Sequence, residues 1–325
     1  MRGLRAWLAV CTVLALGVAG CGDDDSDGGG GSGGSERATV TVGVIPIADV
    51  APLFLGRDQG FFDDENLTVK TQFAEGGAVI VPSVVNGDFD FGFSNNVSLF
   101  IAQSENLPLK IVTQGVLGGE NDKEAWANLM VKKDGPISSP KDLEGKTIAV
   151  NTLKNICEVT IKASLEKEGV DVGTLEFQEI PFPDMNGALA ADRVDGLCQV
   201  EPFVSQGAQE GFRGIDPFYV GTAPNLSVAT YFTSDREIEE NADVVERFMK
   251  AMNRSLDYAA KHEDEVRKII PEYTEIPPEA AEAITLPQWS SSLELDTLET
   301  LGADTKKFGL IDEEPDLEAL IHQSD

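Results

Sequence analysis

The chain has 325 residues, with 25 Lys and Arg against 56 Asp and Glu, a formal net charge of −31. That balance excludes nucleic acid and anionic lipid headgroups as partners of the folded part, because both demand a basic face; it favours solubility and is silent on fold. With two histidines, His262 and His322, and four cysteines but no C-x-x-C pair, there is almost no material for His-based catalysis, a zinc ribbon or a thioredoxin-like motif, and no metal or cofactor is expected.

Met1-Arg2-Gly3-Leu4-Arg5 precedes an apolar run over 6–19 and then Gly20-Cys21. A basic start, a short apolar stretch and a small-residue cleavage point are the parts of a secretory signal, and the run falls short of the roughly 20 apolar residues of a membrane span. Val18-Ala19-Gly20-Cys21 resembles the bacterial lipobox. Residues 1–20 are therefore expected to be a lipoprotein signal peptide, and Cys21 the site of lipidation (palmitate) that holds the protein on the extracytoplasmic face of the cell membrane. The alternative is an ordinary signal peptide with an incidental cysteine. Removing the first twenty residues, which carry two arginines and no acid, leaves 23 basic against 56 acidic residues, a charge of −33. Residues 21–37 hold Asp23, Asp24, Asp25, Asp27 and a Gly/Ser tract. Without apolar side chains to offset ordering entropy, this segment is expected to be a disordered tether, holding the folded part tens of ångströms from the lipid at roughly 5–6 Å × √n.

Strand and helix patterns then alternate. A β-branched strand is predicted over 39–45, ended by Pro46, followed by a helix over 51–57 and a strand over 67–73. Gly76-Gly77 precedes a helix over 79–86 that stops at Gly87; a strand follows over 89–93, a helix over 96–103 and a strand over 109–114. A second round starts near 127: strand 128–132, a turn of helix at 139–143, strand 146–151, helix 157–168, strand 175–180, helix 186–191, strand 195–200 and helix 203–211. Strand 226–233 is followed by helices over 241–268 and a mostly helical remainder. This order predicts an α/β fold whose sheets are mostly parallel and covered by helices, and the length calls for two lobes rather than one core.

Several pieces carry a resemblance in their joint order. They are Gly60-Phe61-Phe62 before Leu67-Thr68-Val69, Gly76-Gly77 ahead of Val85-Asn86-Gly87-Asp88-Phe89-Asp90-Phe91, the run from Ile137 through Ser139-Pro140-Lys141-Asp142-Leu143-Glu144-Gly145 to Val150, Val194-Asp195-Gly196-Leu197 with Glu201-Pro202-Phe203, and Leu286-Pro287-Gln288-Trp289. From about Thr39 to Leu320 the chain resembles the substrate-binding proteins of ABC importers for sulfonates, taurine, nitrate and thiamine precursors, in a lipoprotein form. The resemblance implies a two-lobed type II periplasmic binding protein fold, with lobe 1 over 38–118 plus 226–325 and lobe 2 over 119–225. Segments 117–127 and 222–225 would form the hinge. It further implies a monomer that is no enzyme, captures a small organic solute between its lobes, and hands it to an ABC permease in the cytoplasmic membrane. The lipid bilayer would be a partner only through the Cys21 anchor.

A solute cleft in such sheets lies beyond the carboxyl ends of the parallel strands, where helix N-termini offer unpaired N–H groups. Asp49 in the first loop either accepts from a ligand amine or caps the next helix. Gly76 and Gly77 either let the backbone approach a ligand or make a turn. The family places ligand contacts at Ser94, Asn95 and Asn96, residue types that also satisfy helix N–H groups. In the family the turn before the lobe 2 helix is rich in Gly and Ser and wraps anionic head groups; here it contains Asn151, Thr152, Lys154 and Asn155 as ligand candidates. Its Leu153 and Ile156 depart from the family pattern and count against a sulfonate or nitrate. Glu201, where the family often carries an acid before Pro-Phe, either binds a ligand or holds neighbouring N–H groups, and Trp126 is either an aromatic wall or core. Acid on both lobes and no arginine in any cleft loop favour a zwitterionic, cationic or neutral solute. Outside the cell a Cys157–Cys198 disulfide is permitted, and the family topology would set the two on neighbouring elements; the alternative is two buried thiols. A sensory receptor for a membrane kinase, or an enzyme on the same fold, are the competing readings. The enzyme would need a nucleophile elbow or a His-dependent site, and neither motif is present.

Overall fold

The computed structural model describes residues 36–274 and 276–323; the signal peptide, Cys21 and most of the tether expected from the sequence lie outside them. Eleven strands build two sheets among the described residues: β1 (Ala38–Val44), β2 (Leu67–Phe73), β3 (Phe91–Asn95), β4 (Leu109–Leu117), β5 (Ala127–Lys132), β6 (Thr147–Val150), β7 (Glu176–Glu179), β8 (Gly196–Val200), β9 (Phe212–Asp216), β10 (Ser227–Ser234) and β11 (Gln288–Trp289). The first sheet has the order β11-β4-β10-β3-β1-β2 and the second β7-β6-β8-β5-β9. Helices flank both, and none among the described residues is long and apolar enough to cross a membrane.

The sheets are mostly parallel in sense, as expected, each interrupted by antiparallel strands. β1 pairs in parallel with β2 and β3, and β6 with β7 and β8. β10, however, lies antiparallel between β3 and β4, and β5 lies antiparallel between β8 and β9. The two inserted strands are the ones that follow each passage of the chain between sheets. A helical crossover forces parallel pairing only on strands it joins within one sheet, so a strand arriving from the other sheet runs in the opposite sense. β9 escapes the alternation rule as well. Its five residues, Phe-Arg-Gly-Ile-Asp, carry two charges and a glycine, and only pairing with β5 defines them as an edge strand.

The long helix Ala242–Ala259 shows how pattern becomes packing. Val245, Phe248, Met252, Leu256 and Ala259 recur at helical spacing and are buried. Phe248 stacks on Phe91 of β3 with ring centroids 3.9 Å apart and lies 5.9 Å from Phe62. Burying such a ring contributes roughly 1.5–3 kcal/mol. β3 begins two residues later than its pattern suggests, because Asp90 turns back to accept from the Thr41 N–H at 2.6 Å. The strand therefore runs to Asn95, whose side chain accepts from the Ser98 N–H at 3.1 Å and starts the next helix, Asn96–Ser104, without a loop. Contacts between the halves join them into one compact unit.

Candidate functional site

A cleft of about 330 Å³ opens where the carboxyl ends of strands from both sheets meet. The first sheet contributes Ile45, Pro46 and Ile47 after β1 and Phe73, Ala74 and Glu75 at the end of β2. The second contributes Pro181, Phe182, Pro183 and Asp184 after β7, and Phe203 after β8. Phe73 is 53% exposed although it ends a strand, so its ring faces the opening rather than a core. The lining is apolar and aromatic with two acids and no basic side chain. Sequence reasoning missed Phe73, Phe182 and Phe203; the available signal was an aromatic residue at or just beyond the carboxyl ends of β2, β7 and β8.

Beside the cleft, loops from the two halves touch. Asn151, in the turn after β6, donates from Nδ2 to the Glu75 carbonyl at 3.2 Å. Asn155 donates to Ser98 Oγ at 3.0 Å and to Thr152 Oγ1 at 2.7 Å, while its Oδ1 accepts from the Ile156 N–H at the start of the helix Ile156–Lys167. Gly76 backs onto this contact: a Cβ there would sit 3.0 Å from both Asn151 Nδ2 and Thr152 Cγ2. At Gly77 a Cβ would lie 2.3 Å from Ser94 Oγ, so that glycine is required for the close approach of two elements of the first half. Lys154 is exposed; its backbone takes a positive φ of 51°, and its N–H donates to Glu158 Oε1.

The other sequence candidates separate into engaged and unengaged groups. Asn96 is fully buried and bridges to β10, donating to the Ser227 carbonyl at 2.8 Å and accepting from Thr230 Oγ1 at 2.7 Å. Its amide is consumed, and the expected ligand role gives way to a structural one. Trp126 is likewise core rather than cleft wall: it is fully buried, its Nε1 donates to the Leu117 carbonyl at 2.8 Å, and its ring lies 5.2 Å from that of Tyr219. Both Glu201 oxygens are taken, by Ser205 Oγ and N–H and by the Thr285 N–H at 3.0 Å. Burial raises the Glu201 carboxyl, opposed by these donors and by the field of Arg267. Of its two expected roles, Glu201 plays the one of holding neighbouring N–H groups. Its carbonyl also ties the halves together, accepting from the Ala48 N–H at 3.1 Å, while its N–H donates to the Trp126 carbonyl within the second half.

Asp49 behaves differently. It lies in the short turn Ala48–Val50 and is 4% exposed. The helix that follows, Ala51–Asp58, has no side-chain cap, so Asp49 does not play the capping role. Its carbonyl accepts from Trp289 Nε1 at 2.8 Å, but its Oδ1 has no partner. Burial pushes the carboxyl up to about 8, against a partly offsetting bond from its own N–H. Cys157 and Cys198, both fully buried, are joined by a disulfide with Cα atoms 6.0 Å apart, linking the helix Ile156–Lys167 to β8 inside the second half. No group of three or more His, Cys, Asp or Glu among the described residues is placed to hold a metal ion.

The family model described as NMT1/THI5 like matches residues 47–266, more than half of the chain and every cleft segment from Ile47 to Phe203. The chain belongs to the NMT1/THI5-like family. It is 28% identical over 219 residues to the taurine-binding periplasmic protein of Escherichia coli K12, an alignment covering 67% of this chain and 65% of that protein's length. Its structure is similar to that of the alkanesulfonate-binding protein SsuA from Xanthomonas axonopodis pv. citri, with a TM-score of 0.75 at 16% identity, covering 89% of this chain and all of the other. It is also similar to the nitrate-binding protein NrtA from Synechocystis PCC 6803, with a TM-score of 0.71 at 13% identity over 86% of this chain and 84% of the other. At such identities the likeness establishes the fold, that of the periplasmic binding proteins.

Within this NMT1/THI5-like chain the contact between Gly76 and the 151–155 turn is a direct test of how the halves meet. Gly76 has an extended backbone that any residue adopts, so Gly76→Val adds bulk at the junction without straining the chain. We expect a larger radius of gyration by small-angle scattering and a solute affinity about tenfold weaker, with a melting temperature within a few degrees of the parent. Unchanged scattering and affinity would show that the two loops need not meet.

Proposed function

We propose that this chain is an extracytoplasmic solute-binding protein that captures a small organic molecule between its two halves and delivers it to the permease of an ABC importer. The observation that carries this reading is the cleft itself: one enclosure built from strand ends of both sheets, so that a bound molecule contacts both halves at once. Such a guest favours the state in which the halves are together, by its differential affinity for that state, and a permease that docks only that state reads occupancy as shape. In this reading residues 38–118 with 226–325 move as one lobe and 119–225 as the other. Their junction is the Ala48–Glu201 main-chain bond, and Cys21 carries the lipid that keeps the protein beside its permease. Family membership and the names of the relatives, which bind taurine, alkanesulfonate and nitrate, support solute capture over catalysis.

The test is direct. Small molecules released by denaturing freshly purified protein are identified by mass spectrometry and added back to the ligand-free protein. A solute at a hundred times its dissociation constant stabilises the fold by about 2.7 kcal/mol, which raises the melting temperature of a chain this size by several degrees. A protein that releases nothing and is stabilised by no member of a broad solute library is not a binding protein.

A further inference from the structure

An aromatic side chain left half-exposed at a strand end calls for a reason, because covering it would stabilise the chain. Phe73 is such a residue, and its ring is held from behind. Buried Phe54 stacks on it with centroids 6.3 Å apart, and Phe54 stacks in turn on buried Tyr273 at 4.1 Å. Tyr273 is fixed by its hydroxyl, which donates to the Ile47 carbonyl at 3.2 Å. Three rings thus run in a row from the core to the cleft, and the exposed surface of Phe73 is a preorganised apolar platform. The second half supplies Phe182 and Phe203 to the same cleft. Its volume of about 330 Å³ has room for roughly ten non-hydrogen atoms, at the ~30 Å³ that one water molecule occupies.

The same cleft lacks what a bound anion requires. No basic side chain lines it, whereas Glu75 and Asp184, one from each half, do. Lys154, the one cation of the 151–155 turn, lines a different groove. Helix starts are ready anion sites, but at this junction the chain fills them with its own oxygens. Asn95 takes the Ser98 N–H, Asn155 that of Ile156, and Glu201 that of Ser205. The helix Phe182–Ala190 opens as Pro181-Phe182-Pro183, where two of the three residues have no N–H to give. In the 151–155 turn, the Leu153 and Lys154 N–H groups go to Glu179 and Glu158.

We propose that the cleft selects an apolar, ring-bearing solute that carries no acidic group, and that Phe73 is the residue that sets this preference. The inference rests on the solute-capture reading and names the chemical class of the solute. A flat apolar body covers the exposed surface of Phe73 on the first half and meets Phe182 and Phe203 on the second, so both halves gain apolar contact only with the solute between them. A sulfonate or nitrate would instead give up its hydration for a wall with two carboxylates and no basic side chain. This class differs from the taurine, alkanesulfonate and nitrate named for the relatives.

Four probes, titrated against the intact folded protein by calorimetry, separate the outcomes: phenethyl alcohol, phenethylamine, phenethylsulfonate and taurine. The alcohol or the amine is expected to bind about tenfold or more tightly than the sulfonate of the same shape, and taurine not to bind at all. Phe73→Ala is expected to weaken that binding about tenfold. The melting temperature of the variant should stay within a few degrees of the parent, because half of that ring is already exposed. Sulfonate or taurine affinity equal to or above that of the alcohol and the amine overturns the inference and leaves solute capture standing, as does binding indifferent to Phe73→Ala. If no probe binds but the protein releases a native solute, that solute decides. One with an apolar ring and no acidic group, bound more weakly by Phe73→Ala, supports the inference; any other overturns it. A protein that binds no probe and releases no solute fails the capture reading itself, and this inference with it.

Discussion

Replacing Asp49 by Asn is expected to make the protein more stable at pH 8 and to flatten the fall of stability with pH. Burial holds the Asp49 carboxyl at about 8 in the folded chain against an ordinary value of 3.8. Between those two values the folded state binds a proton that the unfolded state has released. Stability therefore drops as pH rises from about 4 to about 8, and the penalty is complete above the folded value. The full span corresponds to an upper bound of roughly 6 kcal/mol. Asn cannot ionise and escapes it, although its buried amide meets the same shortage of partners at a cost of about 1–3 kcal/mol. A net gain of about 2–4 kcal/mol at pH 8, turning into a loss of about 1–3 kcal/mol near pH 4 where only the amide's cost remains, is expected from urea unfolding of the two proteins across that range.

Asp216 has the same sign: burial pushes it up to about 6, against the bond from Ser164, and Glu201 is also raised. The variant should therefore retain a shallower slope. Asp142, held down at about 2 by the Ser138 and Ser139 donors, loses its contribution only as pH falls below the ordinary carboxylate range, outside this window. The large negative charge of the chain adds a repulsion common to parent and variant, so the difference between the two curves isolates Asp49. Parallel curves would mean that its carboxyl is hydrated in solution.

The second large effect concerns the Cys157–Cys198 bond. Its sequence separation of 41 residues makes the loop it closes worth about 4 kcal/mol of unfolded-state entropy. The Cys157→Ala, Cys198→Ala double variant should lower the urea midpoint accordingly, and reductant should reproduce the loss only once the protein unfolds, because both sulfurs are fully buried. Since the bond joins the helix Ile156–Lys167 to β8 within the second half, it does not span the junction. Solute affinity should accordingly stay within about twofold of the parent, a difference near 0.4 kcal/mol. A midpoint insensitive to both changes would argue that the thiols are free.

Periodicity and strand-end punctuation determined most of the local structure. The alternation of β-branched strands and amphipathic helices placed nine of the eleven strands among the described residues to within a few positions, missing β9 and β11, and strand-end position together with the family resemblance marked the loops behind β1, β2 and β6 as expected cleft loops. Such patterns report whether a residue is buried and at what local period, and they carry no information about which distant group it meets. Tertiary structure alone decided the rest. Asn96 spends its amide on Ser227, 131 residues away, and Glu201 one oxygen on Thr285, 84 residues away. Strands β5 and β10 acquire their direction from the passage between sheets, and Phe73, Phe182 and Phe203 become one wall only when two sheets present their ends to each other. Asp49 looked like its fellow acids until the fold left it buried with one carboxyl oxygen unpartnered, because whether a polar group is satisfied is a property of everything packed around it and not of its neighbours in the chain.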